Sequence, residues 1–91
     1  MKTIYKYELG LTQEQEGIDM PVGAKIIKIS NQHYGVCIWA IVDTEMKMEK
    51  RTFAVYGTGH EIKMALSKLN HLGTINWNDG NYIWHIFEIL K

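Results

Sequence analysis

The spacing of apolar and polar side chains predicts a succession of β-strands along most of the chain. In residues 3–9, an apolar, tyrosine-rich face alternates with a largely polar one, which is the period-2 pattern of a strand buried on one side. We expect this strand to lie at the edge or on the outside of a sheet. Residues 18–21 predict a very short strand, which Pro21 confines to an edge because proline has no N–H to donate.

Two apolar segments form the centre of the predicted sheet. Residues 24–30 are rich in β-branched isoleucine, and residues 31–35 supply the turn into residues 36–42. The latter run is apolar on both faces, so we expect it to lie centrally, covered on both sides by the chain itself or by a second subunit. A charged hairpin loop at residues 43–50 then leads to another strand at residues 51–56.

Residues 61–70 are predicted to form a short amphipathic helix. Apolar side chains recur there at helical spacing, at Ile62, Ala65, Leu66 and Leu69. A helix of this length is marginal in water by itself, so packing would have to hold it against the sheet.

The last part of the chain has the pattern of a β-hairpin. Residues 72–77 and 82–90 flank Asp79 and Gly80, and Asp-Gly is a preferred centre for a two-residue type I′ turn. With that turn, one face of the hairpin is strongly aromatic, and the other carries His85 among apolar neighbours. The predicted cross-strand pairs are Trp77 with Tyr82, Ile75 with Trp84, Gly73 with Ile86, Thr74 with His85, and Leu72 with Phe87.

Together these patterns predict a single α+β domain over residues 1–91, with a mostly antiparallel sheet of about five to seven strands and one short helix. A chain of 91 residues has no room for a second domain. With 46% hydrophobic residues, including three Trp and five Tyr, it can fill a core and still expose apolar surface. We therefore expect a homo-oligomer.

Charge and cysteine content restrict the partners and the compartment. Ten Lys plus Arg balance ten Asp plus Glu without a long run of either sign, which argues against binding to duplex nucleic acid or to an anionic membrane. Residues 1–6 lack the apolar run of a secretion signal, no apolar stretch is long enough to span a bilayer, and a lone cysteine cannot form an internal disulfide. We expect a cytoplasmic protein without a cofactor.

The most suggestive chemistry lies at residues 57–60, a Gly-Thr-Gly-His loop that follows a predicted strand. Glycine accepts positive φ and allows a ligand to approach the backbone closely. Backbone N–H groups and a hydroxyl could bind a small anion, the histidine could add a switchable charge, and a tryptophan could provide a stacking surface. The alternative is a plain glycine-rich turn. The predicted ligand-binding residues are Gly57, Thr58, Gly59, His60, Trp39, Trp84 and His85.

His85 has two interpretations. Buried polar groups are usually hydrogen-bonded, which favours a core or interface histidine that is satisfied by a hydroxyl or a carbonyl. The alternative is a role in ligand binding.

An enzyme is the less favoured class, and we expect no catalytic residues. His60 and His85 with Asp43 or Glu88 could form an acid–base site, and Cys37 could be a nucleophile. Cys37 lies in the most apolar strand, however, where burial makes a thiol unreactive, and the spacings of known nucleophile and phosphate-binding loops are absent. The histidines are too scattered for a structural zinc site, so we expect no metal.

Several blocks of the sequence resemble a family of small uncharacterised proteins from bacteriophages and bacteria. The most specific are Tyr-Gly-Thr-Gly-His at residues 56–60 and Trp-His-Ile-Phe-Glu at residues 84–88. The resemblance implies a bacteriophage or bacterial origin rather than a mechanism. The blocks are MKTIYKYEL at 1–9, MPVGAKI at 20–26, IWAIVD at 38–43, RTFAVYGTGH at 51–60 and WHIFE at 84–88.

A binding protein is the favoured function. We expect a phage-type accessory protein that sequesters a small anionic, nucleotide-like ligand as a homo-oligomer, with a role in countering a host defence system by analogy. The alternative is an interaction module or inhibitor that binds a host protein. It would use an exposed strand edge, such as that of residues 3–9, or the aromatic face of the hairpin.

Overall fold

Seven β-strands in the described part of the chain form two antiparallel sheets. The computed structural model describes residues 1–10, 17–32, 35–77, 80 and 82–91. The strands are β1 (Lys2–Leu9), β2 (Ile18–Pro21), β3 (Lys25–Gln32), β4 (Gly35–Asp43), β5 (Met48–Gly57), β6 (Leu69–Trp77) and β7 (Tyr82–Ile89). The first sheet has the strand order β1-β4-β3, and the second has the order β2-β5-β7-β6.

The two sheets share one hydrophobic core. Alternate residues of β4 are buried in it, from Val36 to Val42, because successive side chains of a strand point to opposite faces. Phe53 of β5 and Ile86 of β7 meet them from the second sheet, and both are completely buried. The core therefore consists of the inner faces of both sheets.

The predicted central position of residues 36–42 is confirmed, because β4 lies between β1 and β3. Its outer face is less covered than expected. Cys37 is buried, but Trp39 is half-buried and Ile41 is 39% exposed. The outer face of the first sheet thus presents apolar groups to the surroundings.

The predicted edge strands are confirmed. β1 is an edge of the first sheet and β2 is an edge of the second. After Pro21, the chain turns through Gly23, whose φ is +82°, and the N–H of Ala24 donates to the Pro21 carbonyl at 3.1 Å. A positive φ at this position of a turn favours glycine.

The predicted helix at residues 61–70 is wrong, and with it the α+β class. The described residues contain a single 3₁₀ turn, Leu66–Lys68, and β6 begins directly after it. β5 and β6 both pair with β7 in antiparallel fashion, so they run parallel to each other, and residues 58–68 must cross over β7. No helix in the described part of the chain is long and apolar enough to cross a membrane.

The length of this crossing explains why it is not an α-helix. The chain leaves β5 opposite Trp84 and enters β6 opposite Ile89, a displacement of about 17 Å along the strands and about 10 Å across them. Residues 61–68 would cover only about 12 Å as an α-helix, but they cover about 26 Å when extended. The inner face is filled by the core, so the crossing lies on the outer face, where Ala54 is buried.

The hairpin of β6 and β7 has the predicted register at four of the five pairs. The pair of Leu72 with Phe87 is wrong, because a β-bulge at Leu72 places His71 opposite Phe87 instead. Asp79 lies outside the described residues, as do residues 33 and 34 of the predicted turn at residues 31–35. Gly80 has the positive φ of +86° that a type I′ turn requires.

A bidentate ion pair lies at the opposite end of the sheet from the residue 57–60 loop. Arg51 of β5 donates from Nε and Nη2 to the two carboxylate oxygens of Glu88 in β7, each at 2.7 Å. Nη1 donates to the carbonyl of Ala24 at 2.6 Å. Hydrogen bonding to Glu88 raises the pKa of Arg51, so the guanidinium is a permanent charge in this position.

Candidate ligand pocket at the end of β5

A pocket of about 210 Å³ lies where β5 ends. The last residue of β5, Gly57, lies opposite Trp84, whereas β7 begins at Tyr82 and therefore extends beyond β5. The loop of residues 57–60 folds beside this extension. The pocket is lined by Gly57, Thr58, His60, Tyr82, Ile83 and Trp84.

Most amides of the loop are hydrogen-bonded within the fold. The N–H of His60 donates to the Gly57 carbonyl at 3.0 Å, and the N–H of Thr58 donates to the Ile83 carbonyl at 3.2 Å. The N–H of Gly57 donates to Nδ1 of His60 at 3.0 Å. Among the described residues, the Gly59 N–H is the loop amide outside these bonds. The loop is therefore an internally bonded turn with one amide left for a ligand.

The hydrogen bond from Gly57 determines the tautomer of His60. Because Nδ1 accepts a backbone N–H, the neutral imidazole carries its hydrogen on Nε2, which is then a donor. Gly57 also makes room for the ring, since a Cβ on it would lie 3.0 Å from Cε1 of His60 and 3.1 Å from Cζ3 of Trp84. A glycine is needed here for space, whereas Gly59 is needed for its φ of +91°.

Three aromatic rings form one side of the pocket. Tyr82 and Trp84 are two residues apart in β7 and therefore project from the same face. Their rings are stacked, with centroids 6.5 Å apart and an interplanar angle of 17°. His60 contacts Trp84 edge to face at 5.9 Å. Tyr82 is 55% exposed, so a ligand can reach its ring from solvent.

His85 lies behind the loop rather than in the pocket. Its Nε2 is 2.9 Å from the Thr58 hydroxyl, and its Nδ1 is 3.2 Å from the Thr74 hydroxyl. His71 continues the chain through Nε2, 3.2 Å from the same Thr74 oxygen. Both ring nitrogens of His85 are thus occupied by hydroxyls, as the structural interpretation of this residue expects.

The remaining residues considered from the sequence lie apart from the pocket. Trp39 is on the outer face of the first sheet. Glu88 is bound to Arg51, and Asp43 accepts the Glu45 N–H at 3.1 Å, which lowers the pKa of the Asp43 carboxyl. Cys37 is buried. Within the described ranges, no three metal-ligating side chains lie close enough together to hold a metal ion.

The chemistry that this pocket offers is stacking plus hydrogen-bond donation. An aromatic wall stands beside the imidazole of His60, whose Nε2 is a donor, and among the described residues no carboxylate side chain lines the cavity. The volume is below the 300–1,000 Å³ that is typical of sites enclosing a whole drug-sized ligand. One planar ring therefore fits inside, with the rest of the molecule at the mouth.

Comparison with known proteins gives a family and no function. Residues 1–90 match a family described as a domain of unknown function, DUF7352. The chain belongs to this family. Comparisons with curated proteins and with solved structures found no match.

For this DUF7352 member, the sequence prediction included most of the residues that line the pocket but missed Tyr82 and Ile83. Four of the predicted residues, Gly57, Thr58, His60 and Trp84, line the cavity. Tyr82 had a signal in the sequence, since the predicted hairpin register put it on the same face as Trp84. It was assigned to the aromatic face and not to the site, because the register does not say where β5 ends.

Proposed function

We propose that this protein is a binding module that captures a small nucleotide-like ligand, with a planar ring in the pocket at the end of β5, and that it is not an enzyme. The observation that carries the proposal is the stacked pair of Tyr82 and Trp84 beside the Nε2 donor of His60. An aromatic wall with a few directed polar groups is the usual composition of small-molecule sites.

The stacked pair favours a flat, π-bonded group over a sugar or an aliphatic chain. Base–aromatic stacking contributes about 1–3 kcal/mol per base, and the exposed ring of Tyr82 provides such a surface. The edge of the bound ring would meet the Nε2–H of His60, a donor that suits a ring nitrogen or an exocyclic oxygen.

An anionic substituent of the ligand has one binding position in this arrangement. The Gly59 N–H is outside the internal bonds of the loop, and Gly59 lies in the chain between Thr58 and His60, which both line the pocket. Together with His60 it can bind a single phosphate oxygen, which favours a monophosphate over a triphosphate. The other three loop amides are already paired, so recognition depends more on the base than the sequence alone suggests.

The biological setting is part of the proposal. The resemblance to small bacteriophage and bacterial proteins favours an accessory protein acting in the host cytoplasm, as a homo-oligomer that sequesters a nucleotide signal of a defence system. The exposed Ile62 and Leu66 in the crossing between β5 and β6 support self-association, because exposed apolar groups of this size are common at interfaces.

The experiment that tests the proposal compares ligands and variants. Native mass spectrometry of gently purified protein reports subunit number and any retained adduct, and isothermal titration with adenosine monophosphate, adenosine and ribose 5-phosphate separates base from phosphate. We expect Tyr82→Ala to weaken binding of the monophosphate about tenfold or more. Tyr5→Ala, another exposed tyrosine, should leave it unchanged. Equal binding by both variants would refute the pocket as the site.

A second candidate is a protein partner at the edge of the first sheet. β1 pairs with β4 on one side, and no described strand lies on its other side. Such an edge can accept a strand from a partner. Substituting Ile4 and then Tyr5 with proline in separate variants should weaken capture of a host protein in one of them, because adjacent residues of a strand direct their N–H groups to opposite edges and one of the two therefore points outward. Equal capture by both would remove the edge from consideration.

A further inference from the structure

We propose that the outer face of the first sheet binds single-stranded nucleic acid, with Trp39 as a stacking platform and lysines on both sides of it. This site is separate from the pocket at the end of β5, because Trp39 projects from the outer face of β4, on the other sheet. The two proposals concern different sites, so a test of one does not decide the other.

The register places lysines on both strands that flank Trp39. Lys6 of β1 and Lys28 of β3 are both opposite Trp39. Lys2 of β1 and Lys25 of β3 lie further along the same face, opposite Asp43 and Ile41. The positive charges are therefore assembled from two strands that are distant in sequence, which explains why no basic run marks them.

A β-bulge in β3 creates this arrangement. The register shifts between Ile26 and Lys28, with Ile27 as the extra residue. In a regular strand, residues 25 and 28 would point to opposite faces, since the side-chain period is two. The bulge turns both lysines outward and leaves Ile26 and Ile29 packed against the core.

The positive charges of these four lysines are available to a ligand. In the part of the chain that the structure describes, none of these four lysines forms an ion pair. Lys6 donates to a neutral amide oxygen of Gln32 at 2.7 Å. The carboxylate of Asp43 on this face accepts the Glu45 N–H and lies 3.5 Å from the terminal ammonium. Among the described residues, Glu8 is the other acidic group on this face, so the described side chains give the face a net positive charge.

The ammonium group of Lys28 lies over the ring of Trp39. Its Nζ lies 5.2 Å from the ring centroid, a cation–π contact. A nucleobase stacks on an aromatic ring more strongly than an exposed lysine does. The base can therefore replace Lys28, whose charge moves to the adjacent phosphate. This combination of a stacking ring and backbone-tracking cations is the mode of single-strand binding proteins.

Charge favours this occupant over a second copy of the chain. Two such faces packed together about a twofold axis would bring like charges into contact, which disfavours self-association despite the exposed Ile4 and Ile41. A duplex is disfavoured as well, because the face is a flat sheet surface and a paired base cannot stack on Trp39.

The test uses fluorescence anisotropy of a labelled dT12 oligonucleotide over a series of salt concentrations. We expect Trp39→Leu to weaken binding about tenfold. Lys6→Gln and Lys28→Gln should each reduce the slope of log K against log salt by about 0.7. Lys63→Gln, which removes an exposed lysine from the crossing on the other sheet, should change neither quantity.

Four outcomes would overturn the proposal. The first is no binding of dT12 by the native protein at low salt, and the second is an equal effect of Lys63→Gln. The third is equal affinity for a duplex of the same length, which would mean general attraction to phosphate. Should Trp39→Leu fail to fold by circular dichroism, the two lysine variants decide the question. A change of subunit number in Trp39→Leu by light scattering, with dT12 binding unchanged, would assign the face to self-association instead.

Discussion

The N–H of Gly57 donates to Nδ1 of His60 at 3.0 Å, and the missing side chain of the same glycine provides the space in which the imidazole lies. The glycine thus orients the ring twice, by a hydrogen bond and by the absence of a Cβ. The bond keeps Nδ1 an acceptor, so that Nε2 is the donor available to a ligand.

Gly57→Ala is expected to displace His60 from Trp84. The new Cβ would lie 3.0 Å and 3.1 Å from atoms of the two rings, and overpacking of this kind costs about 1–3 kcal/mol. Urea denaturation measures the cost, and titration with adenosine monophosphate should give at least tenfold weaker binding. The control is Gly35→Ala, whose Cβ would meet only the Leu9 carbonyl at 3.5 Å. If both variants bind alike, the position of His60 has no part in binding.

Thr58→Val is expected to release the loop from the hairpin. It removes the hydroxyl that bonds to Nε2 of His85 at 2.9 Å, a net contribution of about 1 kcal/mol. Hydrogen exchange should show faster exchange of the Thr58 and His60 amides, with the core of β4 unchanged. Thr52→Val, in the strand β5 that precedes the loop, is the control, because the Thr52 hydroxyl makes no side-chain hydrogen bond within the described residues. Unchanged exchange in the loop would contradict the role given to His85.

Arg51→Met is expected to destabilise the fold by about 2–3 kcal/mol. The variant leaves Glu88 without its partner, and breaking a fully buried pair costs about 3–5 kcal/mol. We expect a smaller cost for this pair because its two side chains are not fully buried, with 16% and 14% of their surface exposed. Lys50→Met, which breaks the exposed pair with Asp19, should cost less than about 1 kcal/mol. Chemical denaturation that ranks the two variants equally would contradict this assignment.

Tyr7→Phe is expected to stabilise the protein by about 1 kcal/mol at neutral pH. The Tyr7 hydroxyl is buried without a hydrogen-bond partner among the described residues, and burial raises the pKa of Tyr7. A raised pKa in the folded state means that folding favours the neutral phenol. The native protein therefore has its full stability below about pH 10 and loses stability as the pH rises through the raised, folded-state pKa of Tyr7. The advantage of the variant should therefore grow in urea denaturation at pH 11.

The control for that experiment is Tyr5→Phe. Tyr5 is on the same strand but is 41% exposed, so its variant should differ from the native protein by less than about 0.5 kcal/mol. A lower stability of Tyr7→Phe than of Tyr5→Phe would mean that the Tyr7 hydroxyl has a partner in solution.

Local pattern was sufficient for the strands and for the hairpin. The alternation in β1 predicts both a strand and its buried face, and Asp-Gly predicts the register that pairs Ile75 with Trp84. Both are short-range properties, because they depend on residues that are near in sequence.

The helix predicted at residues 61–70 failed for a reason that no local pattern contains. Its apolar spacing is helical, but the segment must span the distance from β5 to β6 across β7, and a helix of those residues is too short. The strand order requires a connection longer than this helix would be, and this requirement overrides the helical propensity of the segment.

The sequence by itself determined where most of each strand lies and which faces are apolar, since side-chain alternation follows from backbone geometry. Only the tertiary structure decided how those faces are combined. The bulges at Ile27 and Leu72 reverse the alternation at single residues, and they turn Lys28 and His71 outward. The end of β5 opposite Trp84 opens the pocket that includes Tyr82. These features depend on which strand lies beside which, and pairing between distant segments is set by the packing of the whole core.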